Sequence, residues 1–195
     1  VDAIKSGSQA LFNAVQGVDS FTDVYAFGSV AKRINAGPWF NVKDQDSANW
    51  QSMVMYGTKF KTGANNSASG DLYDDGMAAG SEGLTNWEDA LRAPIVTHSG
   101  KADDPWPDAI IIFTDGEPTT NNAETNAAIA AGGTYAAAGN PGVDGTDADD
   151  LSAGFNMANF ARALGIRVIP VAIGDFSGAN GNNLQTLAAG ETVYK

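Results

Sequence analysis

No cysteine occurs among the 195 residues of this chain. Disulfides and thiolate metal sites are thereby excluded, while the compartment stays open, because a secreted bacterial protein can do without disulfides. His98 is the single histidine. No serine-centred elbow lies near it to form a triad, so a surface position is expected. No stretch approaches the roughly 18 apolar residues that span a bilayer. Positive charge is also scarce: 11 Lys and Arg stand against 23 Asp and Glu, a formal net charge of −12. Such a surface repels phosphate backbones and anionic lipid, which argues against nucleic acid and membrane insertion as partners. It suits a protein that collects divalent cations. Neither an initiator methionine nor a signal peptide opens the chain, which starts at Val1; the expectation is a processed or excised piece of something longer.

What is present is globular. Hydrophobic residues make up 43% of the chain, and its length fits one core and one domain over residues 1–195. Ile4, Ser8, Leu11 and Val15 recur at helical spacing before Gly17, predicting a helix over residues 2–15. Strand formers Val24, Tyr25 and Phe27 predict a strand over 22–27, and a short strand is expected at 39–42 after Gly37-Pro38. Residues 44–81 are the least regular and read as a surface insertion, in which Trp50 and Tyr73 are the best candidates for an exposed contact surface.

Beyond the insertion, strand and helix patterns alternate. A helix is predicted over 85–95 with Trp87, Ala90 and Leu91 inward, ending near Pro94. The run Ala109-Ile110-Ile111-Ile112-Phe113 is right for a strand buried on both faces. Residues 121–138 are alanine-rich, with a helix-compatible stretch over 124–131. A helix over 151–164, with Phe155, Ala158 and Ala161 on one face, stops at Gly165. A second buried strand follows over 166–173, in which Pro170 must sit at the strand start, a bulge or an edge. A short helix over 183–189 and the start of a strand at 191–194 close the chain. Alternation of this kind predicts an α/β fold: a doubly wound, mostly parallel sheet with helices on both faces.

Two segments carry the chemistry. In Phe113-Thr114-Asp115-Gly116-Glu117, a carboxylate follows the buried strand and leads into a turn of Gly116-Glu117-Pro118-Thr119. The carboxyl ends of strands are where open α/β sheets bind ligands. In Gly83-Leu84-Thr85-Asn86-Trp87-Glu88-Asp89-Ala90-Leu91, Thr85 with Glu88 makes a capping box at a helix start. Asp115 has its own local reading as an Asx-type turn before Gly116. Glu117 is expected to be a solvated loop residue. Asp71, Asp74 and Asp75, and separately Asp144, Asp147, Asp149 and Asp150, do not follow the twelve-residue calcium loop. Asp149 or Asp150 more simply caps the following helix and favours its dipole.

Together the two segments resemble the second and third metal-ligand loops of a von Willebrand factor A domain, and the order of elements matches that family across most of the chain. The form Thr85-Asn86-Trp87-Glu88 with Ala90-Leu91 looks like those of surface-anchored bacterial A domains. The resemblance implies a metal-ion-dependent adhesion site at the top of the sheet, with Thr85 and Asp115 as metal ligands and Gly116 permitting the turn beneath the ion. A divalent cation is implied, Mg²⁺ first, with Ca²⁺ or Mn²⁺ as alternatives. An acidic group from a protein or glycan ligand would complete its shell.

The family's first loop, Asp-x-Ser-x-Ser after an opening strand, is not in this sequence. Asp175-Phe176-Ser177 is a partial lookalike in the wrong place. The first strand is therefore expected to be missing from this chain and supplied by a separate segment, since its burial would rival the stability of a whole domain. The function expected is metal-dependent adhesion outside the cell or at its surface. The alternative is a structural or assembly subunit of a pilus or surface layer. No general base with a partner stands out, so an enzyme is not expected.

Overall fold

A computed structural model of the chain describes residues 10–11, 14, 20–28, 30–33, 40–41, 85–114, 116–123, 148–174, 178–189 and 193. The elements run in the order β1 (Phe21–Thr22), β2 (Tyr25–Phe27), β3 (Ala31–Arg33), β4 (Phe40–Asn41), α1 (Trp87–Thr97), β5 (Ala109–Thr114), α2 (Ala148–Ala163), β6 (Arg167–Ala172) and α3 (Ala179–Ala188). The described strands form two-stranded sheets, β1 with β4, β2 with β3 and β5 with β6. The chain divides into two compact units, Val1–Ala26 with Arg33–Gly76, and Phe27–Lys32 with Met77–Lys195.

In the first unit β1 and β4 pair antiparallel, Phe21 opposite Asn41 and Thr22 opposite Phe40. The strand expected over 22–27 is split at Asp23 and Val24. Asp23 accounts for the break: its side chain is 3% exposed and forms a 2.7 Å ion pair with Arg33. A carboxylate so buried needs its partner, and the backbone yields to let it reach one. Of the helix predicted over 2–15, residues 10, 11 and 14 are described and all are helical. The insertion at 44–81, with Trp50 and Tyr73, lies outside the described residues.

The second unit is mixed α/β around a parallel pair. β5 and β6 run in register from Ala109 opposite Arg167 to Thr114 opposite Ala172. Arg167 N–H donates to the Asp108 carbonyl (3.0 Å) and Ile173 N–H to that of Thr114 (2.8 Å). Parallel ladders alternate, so in β6 the odd-numbered N–H groups face β5. Pro170 is even-numbered and paired with Ile112; the N–H it lacks would point away from β5, and no bond between the two strands is lost.

One face of this pair is the core. Ile110, Ile112, Val168 and Ala172 cluster with Trp87, Leu91 and Ile95 of α1, Ala158 and Ala161 of α2, and Leu184 and Leu187 of α3. On the opposite face Ile111 is 37% exposed, Arg167 is exposed, and Phe113, Ile169 and Val171 are half-buried. Among the described residues the helices therefore pack on one face.

Helix boundaries follow local chemistry. α2 ends as expected at Gly165, whose φ is 84°. Gly165 N–H bonds to the Arg162 carbonyl (2.9 Å) and Ile166 N–H to that of Ala161 (3.0 Å). That is a Schellman stop, which glycine enters without the Cβ penalty. α1 starts later than expected and runs through Pro94 to Thr97. A proline in a helix interior costs about 3 kcal/mol; here Ala93, Pro94 and Ile95 are all buried, and that burial carries the helix one turn further.

His98 caps α1 at its carboxyl end and is buried rather than on the surface. Its Nδ1 lies 2.7 Å from Asp104 Oδ1, and Ser99 N–H donates to Asp104 Oδ2 at 2.9 Å. These bonds, His98 first, lower the Asp104 carboxyl from 3.8 to about 2. α3 begins earlier than predicted. Val193, the described residue of the strand predicted at 191–194, is not in a strand. No helix among the described residues is long and apolar enough to cross a membrane.

Candidate functional site

The carboxyl end of β5 meets the start of α1. Thr114, 3% exposed, accepts from Trp87 Nε1–H (3.3 Å) and donates its hydroxyl to the Gly116 carbonyl (2.7 Å), which turns the chain just past the strand. Trp87 is itself fully buried, and its Cβ lies 3.1 Å from where a side chain on Gly154 of α2 would begin. Glycine at that point lets α2 approach the indole. Asp115, the expected carboxylate ligand, lies outside the described residues, between Thr114 and Gly116.

Beyond the turn the chain locks onto Thr85. Thr119 N–H donates to the Thr85 carbonyl (2.8 Å), and Thr85 N–H donates to Thr119 Oγ1 (3.0 Å). The two segments singled out in the sequence are thus joined by one backbone bond and one bond to the Thr119 hydroxyl.

The capping box expected from Thr85 and Glu88 is not formed. Asn86 is the N-cap of α1, with an extended backbone, and its side chain accepts from Asp89 N–H at 2.9 Å. Asparagine is at least as good a cap as threonine, and here Asn86 also donates through Nδ2 to Asn122 Oδ1 (3.1 Å). Glu88 accepts from Asn122 N–H instead (2.8 Å). The hydroxyl of Thr85, half-buried, takes part in none of these bonds.

Around this junction lies a set of polar side chains that periodicity did not reveal. Asn121 is 7% exposed; its Oδ1 accepts from Ala123 N–H (2.9 Å) and its Nδ2 donates to Asp150 Oδ1 (3.1 Å). Asp150 is 1% exposed in the first turn of α2, beside Asp149. The helix starts at Ala148, before the expected 151, so both carboxylates lie inside its first turn, where the dipole favours them, rather than capping it. Glu117 is not solvated as expected: it is half-buried and accepts from Asn183 Nδ2 of α3. The nearest sequence signal for these residues was the doublet Asn121-Asn122. An open groove of about 480 Å³ lies beside the junction, lined by Glu88, Asn121, Asp149, Ser152, Asn156 and Met157; Thr85 is not among its walls.

The donors here are hydroxyls, amide oxygens and carboxylates, a set that suits a hard cation such as Mg²⁺. Among the described residues no three His, Cys, Asp or Glu side chains gather to hold a metal. A pair made of the Thr85 hydroxyl and the Asp115 carboxylate does not require such a group. Asp71, Asp74, Asp75, Asp144 and Asp147 lie outside the described residues. In comparison with known proteins, no family model, curated protein or solved structure matches the chain. The likeness to von Willebrand factor A domains therefore rests on the motifs quoted above.

Proposed function

We propose that this chain is a metal-dependent binding module, in which Thr85 and Asp115 hold a divalent cation at the carboxyl end of β5. One observation supports this reading above others. The Thr85 and Thr119 segments exchange two hydrogen bonds, while Asn86 takes over the helix cap and, among the described residues, the Thr85 hydroxyl takes part in no bond. A cation there would be ligated by few protein groups and would keep open positions for an acidic group on a protein or glycan. That makes the chemistry one of recognition rather than catalysis. A doubly wound sheet of the von Willebrand factor A type and a place outside the cell or at its surface belong to the same proposal.

Calorimetric titration with MgCl₂ tests it on the chain as it stands. Saturable binding that disappears in Asp115→Ala is the expected result. Equal heats from the two proteins, or none from either, would contradict the proposal and favour an assembly role without metal.

A further inference from the structure

Two tryptophans among the described residues are held in opposite ways. Trp87 is fully buried below the carboxyl end of β5, whereas Trp106, just before its amino end, is 38% exposed. Trp106 is nevertheless fixed in place. A Cβ on Gly100 would fall 2.5 Å from Trp106 Cε2, 2.7 Å from Cζ2 and 2.8 Å from Cδ2. These atoms are bonded in a row with Cε2 in the middle, so near-equal distances put that point over the face of the ring and not beside its rim. Gly100, at φ 70°, therefore backs one face of the indole. The exposed part of Trp106 is then the opposite face and the rim.

The loop beneath is stiff. Pro105 and Pro107 flank Trp106 and each fixes its own φ. Lys101 and Asp104 exchange backbone bonds of 3.1 and 3.0 Å, and His98 and Ser99 hold the Asp104 carboxylate. A flat apolar face kept at the surface by a rigid support loses little entropy when a ligand covers it.

The surroundings select the ligand. Asp103 and Asp108 are exposed on either side of Trp106 in sequence. Carboxylates accept from hydroxyl donors and repel anions. Lys101, exposed next to Gly100, sets a positive charge in the same loop, which works against a cation on the indole. A neutral sugar ring with equatorial substituents fits both features: its axial C–H groups form a flat apolar face, and its rim carries hydroxyl donors. Sites for such ligands combine an aromatic wall with a few polar groups.

We propose that Trp106, backed by Gly100, is a platform on which a neutral glucose-type pyranose stacks, with Asp103 and Asp108 accepting from its hydroxyls. It stands at the amino end of β5, away from Thr85, and needs no cation.

Heteronuclear NMR of the full chain in EDTA, titrated with cellohexaose, tests it. The indole N–H resonance of Trp106, identified by its loss in Trp106→Phe, should shift saturably, while that of Trp87 stays unmoved. Trp106→Ala should weaken binding by about tenfold or more, read from the amides of Gly100 and Lys101. Gly100→Ala, which keeps the indole but puts a methyl group where the ring lies, should weaken binding as well. No shift at Trp106 with cellohexaose would overturn the proposal, as would equal binding by wild type and both alanine variants. A shift produced by tetramethylammonium chloride and not by cellohexaose would overturn it in favour of a cation site.

Discussion

At the amino end of β5, polar side chains satisfy one another over short stretches of chain. His98 meets Asp104 six residues away, and Asp104 reaches Ser99 N–H across five. At the carboxyl end the partners are distant. Thr85 and Thr119 are 34 residues apart, Asn86 and Asn122 are 36, Asn121 and Asp150 are 29, and Asn183 and Glu117 are 66. The first arrangement is a clip that closes one turn. The second gathers buried polar groups from several elements, where each must find a partner or carry a desolvation cost. Satisfied in this way, such a network rigidifies the junction and specifies its arrangement.

The sharpest way to break this contrast is through the indole that underlies the carboxyl end. Trp87→Ala should destabilise the fold by about 3–5 kcal/mol, as a cavity beneath Thr114 and Gly154, read from the midpoint of urea unfolding. Trp87→Phe keeps most of the packing and loses only the bond to Thr114; about 1 kcal/mol is expected for it. Nearly equal losses from the two variants would mean that the hydrogen bond, not the packing, secures the junction.

Next in size is the helix cap. Asn86→Ala should cost about 1 kcal/mol, while Thr85→Val, which removes a hydroxyl outside the hydrogen-bond set, should stay within about 0.5 kcal/mol. The reverse order in denaturant midpoints would restore the capping box of Thr85 and Glu88 and remove the reason for reading Thr85 as a ligand.

The difference between these two neighbours also marks how far the sequence could be read. β5, the Gly165 stop and the short strand at Phe40–Asn41 were legible, because period and glycine chemistry are local signals. Thr85 and Asn86 are adjacent and both good caps, so composition alone could not choose between them; the bond from Asn86 to Asn122 decides it. Pro94 as a helix end and His98 as a surface residue were misread for one reason. Burial of Pro94 and the approach of Asp104 depend on tertiary packing, which overrides local preference. The asparagine and carboxylate partners around Asn121 and Asp150 have no period at all.

The smallest effect belongs to the amino end. The folded Asp104 carboxyl titrates at about 2, below its ordinary 3.8. Its contribution is therefore complete above the unfolded value and is lost as the pH falls through the folded one. Wild-type stability should decline between about pH 4 and about pH 2 by slightly more than that of Asp104→Asn. Parallel declines in the two proteins would show that the His98 clip is not held by the charged carboxylate.

The central claim, a cation held by Thr85 and Asp115, is tested most directly by paramagnetic broadening of amide resonances on substoichiometric addition of MnCl₂, comparing wild type with Thr85→Val. The account predicts that Thr85, Asn86, Gly116 and Glu117 broaden first in the wild type, and that Thr85→Val, folded and equally stable, loses this pattern. Broadening centred instead on exposed acids such as Asp103 and Asp149, or a pattern unchanged in Thr85→Val, would contradict it.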